Sequence, residues 1–121
     1  MLSVENIHSY YDKSHVLEGV SLQVREGELV TLLGRNGAGK TTTLRSILGI
    51  VQPRQGQISF NGKPLVGQQT FEIARQGLAL VPEGRRLFPS LSVEENLLMG
   101  GFAGRPGPWN LQRLFKLFPI L

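Results

Sequence analysis

Leu29-Val30-Thr31-Leu32-Leu33-Gly34-Arg35-Asn36-Gly37-Ala38-Gly39-Lys40-Thr41-Thr42-Thr43-Leu44 joins three kinds of sequence in sixteen residues. Residues 29–33 form a continuous apolar run of the kind that makes a strand covered on both faces. Residues 34–39 are a glycine-rich loop. From Lys40 to Leu48 the apolar positions Leu44, Ile47 and Leu48 fall at i, i+3 and i+4, which predicts a helix with Gly49 as its stop. Gly34 to Thr41 fits G-x-x-x-x-G-K-[ST] in full. Glycines let successive backbone N–H groups turn inward toward phosphate oxygens, and the helix that follows adds its positive end. Lys40 supplies a point charge for β- and γ-phosphates, and the Thr41 hydroxyl is a hard oxygen ligand for Mg²⁺. At average glycine usage a chance match in a chain of this length is on the order of one in a few hundred. The strand before the motif and the helix after it lower that further.

Outward from this loop, Leu2, Val4 and Ile7 ahead of Tyr10-Tyr11 predict one half-buried strand, and Val16-Leu17 with Val20, Leu22 and Val24 predict another. Gln57–Phe60 and Lys63–Leu65 flank Asn61-Gly62, a strong two-residue hairpin signal, and Pro64 confines the second strand to an edge. Thr70 is the expected cap of a short helix through Gln76, ended by Gly77. Leu78-Ala79-Leu80-Val81 reads as a second buried strand. Ser92-x-x-Glu95 is a capping box opening a helix to about Met99. A Gly/Pro-rich connection at 100–108 leads to a last helix from about Pro108 to Phe118, apolar on more than one face. The order strand, phosphate loop, helix, buried strand predicts an α/β fold: a P-loop core with a mixed, partly parallel sheet beside an N-terminal antiparallel subsheet.

With 121 residues and 40% hydrophobic positions, the chain has the size and composition of one ordinary globular domain. Fifteen Gly and seven Pro fall short of low complexity. The absence of Cys excludes disulfides, thiolate metal sites and a thiol nucleophile. The first residues have neither a basic nor an apolar stretch of signal-peptide type, and no run approaches the ~20 residues that span a bilayer. The expected location is cytoplasmic. A net charge of +4 points to anionic partners without choosing among them. The basic residues are scattered, without aromatic interleaving, which disfavours a nucleic-acid module.

Residues 35–44 resemble the Walker A segment of ABC-transporter ATPases. So does the surrounding order of Tyr11, residues 15–34, and Gln55-Gly56-Gln57-Ile58. Val81-Pro82-Glu83-Gly84-Arg85-Arg86-Leu87-Phe88-Pro89, Leu91–Leu97, Met99-Gly100 and Leu117-Phe118-Pro119 are narrower and resemble the ATP-binding subunit of branched-chain amino acid importers. The resemblance covers the whole chain and implies an incomplete ABC ATPase domain: an ATP-binding core over about 1–91 and the start of a helical subdomain over about 92–121. No L-S-G-G-Q-like segment, Walker B strand or switch His is found, and His8 and His15 both precede the phosphate loop. Pro82 stands where a Walker B reading of 78–83 would need its Mg²⁺ Asp.

The resemblance implies ATP and Mg²⁺ as cofactors, with Gly34, Asn36, Gly37, Ala38, Gly39, Lys40, Thr41 and Thr42 on the phosphates. Tyr11 would stack on adenine, with neighbouring Tyr10 as its rival. Thr41 would ligate Mg²⁺, and Glu83, the catalytic candidate at the position where most ABC ATPases carry Gln, would sense Mg²⁺ or the γ-phosphate; otherwise Glu83 is a solvated loop acid. Arg85, Arg86 and Phe88 would meet a transmembrane permease, the two arginines being otherwise a solvated pair. The implied partners are a second ATPase subunit and permease subunits at the inner face of the membrane, with no nucleic acid. This chain alone is expected to bind ATP without turning it over. The alternative is a small self-sufficient P-loop NTPase in which Glu83 is the only acid.

Overall fold

The computed structural model describes residues 1–104 and 106–121, and the chain divides into two compact units, Met1–Leu80 and Val81–Leu121. In the first unit, β1 (Leu2–Tyr11) and β2 (Ser14–Val24) form a long antiparallel hairpin. β3 (Gln55–Phe60) pairs with the other side of β1, and β4 (Lys63–Pro64) closes the order β2-β1-β3-β4. The Asn61-Gly62 turn forms as the dipeptide predicts, with both residues at positive φ, and Pro64 lies on the edge strand.

A bulge decides which residues of β1 reach the core. Val4 and Ile7 are three apart and would face opposite sides of a regular strand, yet both are buried. The register shifts between them, where Asn6 takes φ 47° and its N–H donates to Ser21 Oγ at 2.8 Å. Opposite the bulge, Gly56 lies at φ 89°, and a Cβ there would stand 2.3–2.6 Å from backbone atoms of Glu5 and Asn6. Only glycine fits this crossing. Val4, Ile7, Leu17 and Ile58 then pack with Ile47, Leu48, Leu65 and Ile73 as one core.

Helix α1 (Lys40–Ile47) begins and ends close to the expected span. Its inward face differs: Thr42, Thr43, Ser46 and Ile47 are buried, whereas Leu44 is 42% exposed. The helix is fastened to the sheet through polar groups, with Ser46 Oγ and Ser9 Oγ hydrogen-bonded at 2.8 Å in the interior. That contact rolls Leu44 outward. Helix α2 (Thr70–Arg75) starts after Gln69 rather than Thr70, because the Glu72 carboxylate accepts from the Gln69 N–H at 2.9 Å.

The runs 29–33 and 78–81, expected as strands, carry no ladder in the described residues. Leu29 and Leu33 are 93% and 89% exposed. A strand buried on both faces exists only where neighbouring strands and covering layers surround it. The strands β1–β4 pair among themselves, and neither edge accepts residues 29–33. All strand pairs among the described residues are therefore antiparallel. Helices lie beside this antiparallel sheet, and the expected parallel strands are not formed among the described residues.

In the second unit, α3 (Val93–Met99) carries the predicted capping box. Glu95 N–H donates to Ser92 Oγ at 3.2 Å, and Ser92 N–H donates to the Glu95 carboxylate at 2.7 Å. A 3-10 turn, Gly100–Ala103, follows. Helix α4 (Leu111–Leu117) begins three residues later than expected, because Asn110 Oδ1 caps it by accepting from Arg113 N–H at 2.9 Å. Trp109, Leu117, Phe118, Ile120 and Leu121 are exposed, so the apolar surface around this last helix is only partly covered.

Candidate functional site

The phosphate-loop residues lie together in the first unit, between the end of the 29–33 run and α1. Ala38 N–H donates to Arg35 O at 3.1 Å, closing a turn in which Gly37 takes φ 84°. Gly39, at φ 92°, is the N-cap of α1. A Cβ at Gly39 would lie 2.7 Å from Leu17 Cδ2, so the absent side chain is what lets the start of α1 press onto β2. Gly37 needs glycine for a different reason. Nothing approaches it, and only its left-handed backbone favours glycine.

Lys40 Nζ donates to Gly34 O at 2.6 Å and to Arg35 O at 2.8 Å, so its ammonium is held over the loop. Thr43 bonds back to Gly39 O through both its N–H (2.8 Å) and its hydroxyl (3.0 Å), tightening the first turn of α1. The Thr41 side chain is exposed, while Thr42 is buried. No acidic residue occupies the first turn, so no carboxylate competes for the positive helix end. A glycine-walled turn, a fixed ammonium, a free helix end and an exposed hydroxyl fit a polyphosphate with Mg²⁺. Among the described residues no cluster of three or more His, Asp or Glu forms a metal cage. A metal here would be shared with the phosphates.

Tyr11 lies at the end of β1, 41% exposed, and its hydroxyl accepts from Arg45 Nη1 at 3.3 Å. Hydrogen bonds from Arg45 and then Thr42 hold the phenol below its usual pKa. Tyr10 is engaged elsewhere. Its ring stacks on His15 at 4.2 Å between centroids, and the Arg54 guanidinium lies 4.4 Å from its centre. His15 in turn meets His8 through ring nitrogens 3.0 Å apart.

Glu83, Arg85, Arg86 and Phe88 belong to the second unit. Glu83 is exposed at a turn, followed by Gly84, Arg85 and Arg86, all at positive φ. Phe88 is 50% exposed. The Asn96 amide pins this loop to α3. Its Oδ1 accepts from Phe88 N–H at 2.9 Å, and its Nδ2 donates to the carbonyls of Phe88, Leu91 and Ser92 at 2.9–3.1 Å. The link between Glu83 and Mg²⁺ rests on the sequence resemblance alone. Sequence reasoning assigned nothing to Arg45 or to the Asn96 amide, because both act through contacts that no local pattern announces.

The profile of the ABC transporter family matches residues 17–119. The chain is 46% identical over 123 aligned residues to the high-affinity branched-chain amino acid transport ATP-binding protein BraG of Pseudomonas aeruginosa, covering 100% of this chain and 53% of that protein. It is 40% identical to the spermidine/putrescine import ATP-binding protein PotA of Mesoplasma florum, over 83% of this chain and 28% of that protein. Among solved structures, an ATP-binding subunit of an ABC transporter superposes with a TM-score of 0.78 at 38% identity, over 89% of this chain and 44% of the other. A dimeric ATP-binding cassette bound to ADP and Pi gives 0.76 at 22% identity, over 93% and 52%, a likeness of fold. The chain thus spans about half the length of BraG and less of PotA.

Proposed function

Because the chain belongs to the ABC transporter family, we propose that it is the nucleotide-binding portion of an importer ATPase subunit whose cargo is branched-chain amino acids. The observation that carries the reading is the loop around Lys40: an ammonium fixed over the loop carbonyls, at a helix start free of acidic side chains. Lys40 would meet the β- and γ-phosphates, backbone N–H groups of 37–41 and the Thr42 hydroxyl the remaining oxygens, and Tyr11 the adenine. Thr41 would hold Mg²⁺, with Glu83 as a second oxygen donor. Mg²⁺, when bound, neutralises phosphate charge and orients the terminal phosphate. The 46% identity to BraG along the whole chain supports the amino-acid cargo over the polyamines of PotA.

The ATP-binding core would occupy about 1–91, and a helical subdomain would start at about 92. A second ATPase subunit would complete the site. The loop carrying Arg85, Arg86 and Phe88 would meet a permease at the cytoplasmic face of the membrane. Among the described residues no helix is long and apolar enough to cross a membrane, which agrees with attachment through partners. Calorimetry of Mg-ATP against the purified chain and Lys40→Ala tests the reading. Binding by the wild type, reduced at least a hundredfold in the variant and without steady-state hydrolysis, is the expected result. Enzyme-like turnover abolished by Lys40→Ala would favour a self-sufficient NTPase instead.

A further inference from the structure

We infer that Arg45 is a positioning residue for base recognition, holding the Tyr11 ring as a stacking face referenced to the same helix that carries Lys40. The inference rests on the reading of Tyr11 as the adenine-stacking residue. Near its end β1 has lost one of its neighbours. The pairing with β3 stops at His8↔Gln55, whereas the pairing with β2 continues to Tyr11↔Ser14. The strand at Tyr11 is therefore anchored on one side only, and the half-exposed ring lies outside the hydrophobic core cluster.

Arg45 supplies the main fixed point, ahead of the lesser influence of Thr42 on the same hydroxyl. It lies on α1, five residues after Lys40, and its Nη1 donates to the Tyr11 hydroxyl across 34 residues of chain. Because the guanidinium is charged at every working pH, this donor is permanent. The lowered pKa of the phenol has the same contact as its leading cause. Arg45 holds the ring by its tip rather than by its face. Guanidinium groups lie over the rings of Tyr10, Phe71 and Trp109, but none is found over Tyr11 among the described residues. The 41% of Tyr11 that is exposed is the surface offered to a base. Arg54 steadies the neighbouring turn by donating to Asp12 O at 2.7 Å while covering Tyr10. Tyr11 is thus the ring available for stacking, and Arg45 sets where its plane stands relative to the phosphate loop.

The test is a binding cycle on the purified chain, with Mg-ATP and Mg-tripolyphosphate as separate probes. Arg45→Ala and Tyr11→Phe should each weaken ATP roughly three- to tenfold, the cost of ordering a freed ring at binding. Tripolyphosphate should bind as in the wild type. The double variant should be no weaker than either single, and Arg45→Lys, which keeps a donor, should recover most of the loss. The end of α1 survives these changes, since Arg45 serves it through a backbone carbonyl that accepts from Ile50 N–H at 2.9 Å.

Equal losses for ATP and tripolyphosphate would overturn the inference in favour of a general electrostatic role. Wild-type affinity in both Arg45→Ala and Tyr11→Phe, alongside a loss in Tyr11→Ala, would overturn it while leaving the stacking reading intact. Unchanged ATP binding in Tyr11→Ala would sink the stacking reading itself. A folded wild-type chain that binds no ATP would overturn both.

Discussion

Three glycines of the first unit separate two causes that single-residue arguments often merge. Gly37, Gly39 and Gly56 all have positive φ, which costs an alanine about 1–2 kcal/mol. Around Gly37 there is no atom within 4 Å to meet a methyl group; at Gly39 the methyl meets the buried side-chain end of Leu17; at Gly56 it meets backbone. Urea midpoints should therefore fall in that order. Gly37→Ala should lose about 1 kcal/mol, Gly39→Ala about 2–3 kcal/mol as Leu17 shifts within the core, and Gly56→Ala more than about 4 kcal/mol. Equal losses at Gly37 and Gly39 would mean that φ alone matters and that the press of α1 onto β2 carries no strain. The motif pattern named Gly37 and Gly39 as loop residues, but it could not distinguish them, because Leu17 lies twenty-two positions away.

At the scale of elements, features specified within a few residues were readable from the chain, and features needing a distant surface were not. The Asn61-Gly62 turn and the Ser92/Glu95 box formed as written, since each is a contract between neighbours. The outward roll of Leu44 was not readable, because the Ser9–Ser46 bond that sets it joins residues 37 apart. The arginine that holds Tyr11 was hidden for the same reason.

The local box of α3 also makes a pH prediction. The backbone and side chain of Ser92 lower the Glu95 pKa below its ordinary value. A carboxyl depressed in the folded state contributes stability that is complete above the unfolded value, about 4.3, and is lost as pH falls through the lower folded one. Following the Ser92 amide by NMR from pH 6 to 2 should show the helix start loosening at the acidic end. Glu95→Gln should be loosened at pH 6 already and should lack that transition.

For the whole molecule, the decisive quantity is apolar surface left without a partner. Leu29 and Leu33 stand in solvent beside the phosphate loop, and Leu117, Phe118 and Ile120 do so in the second unit. Exposed apolar clusters of this kind promote association. Sedimentation should show self-association that rises with concentration. Leu29→Lys with Leu33→Lys should diminish it while shifting the melting temperature by less than about 2 °C, since neither side chain is part of the core. A large fall in melting temperature would mean that the run is packed in solution. The runs 29–33 and 78–81 were visible as apolar strand candidates, yet a buried strand needs partners on both sides, and these runs pair with nothing among the described residues.

The tether on Lys40 has a consequence for how affinity is composed. An ammonium already hydrogen-bonded to Gly34 and Arg35 carbonyls has surrendered most of its rotamer freedom, worth roughly 1.5–2 kcal/mol, when the chain folds. That disorder is absent when a phosphate arrives, so the encounter does not have to remove it. The entropic penalty has been moved from recognition to folding, and a modest loop can hold its ligand without slowing its capture.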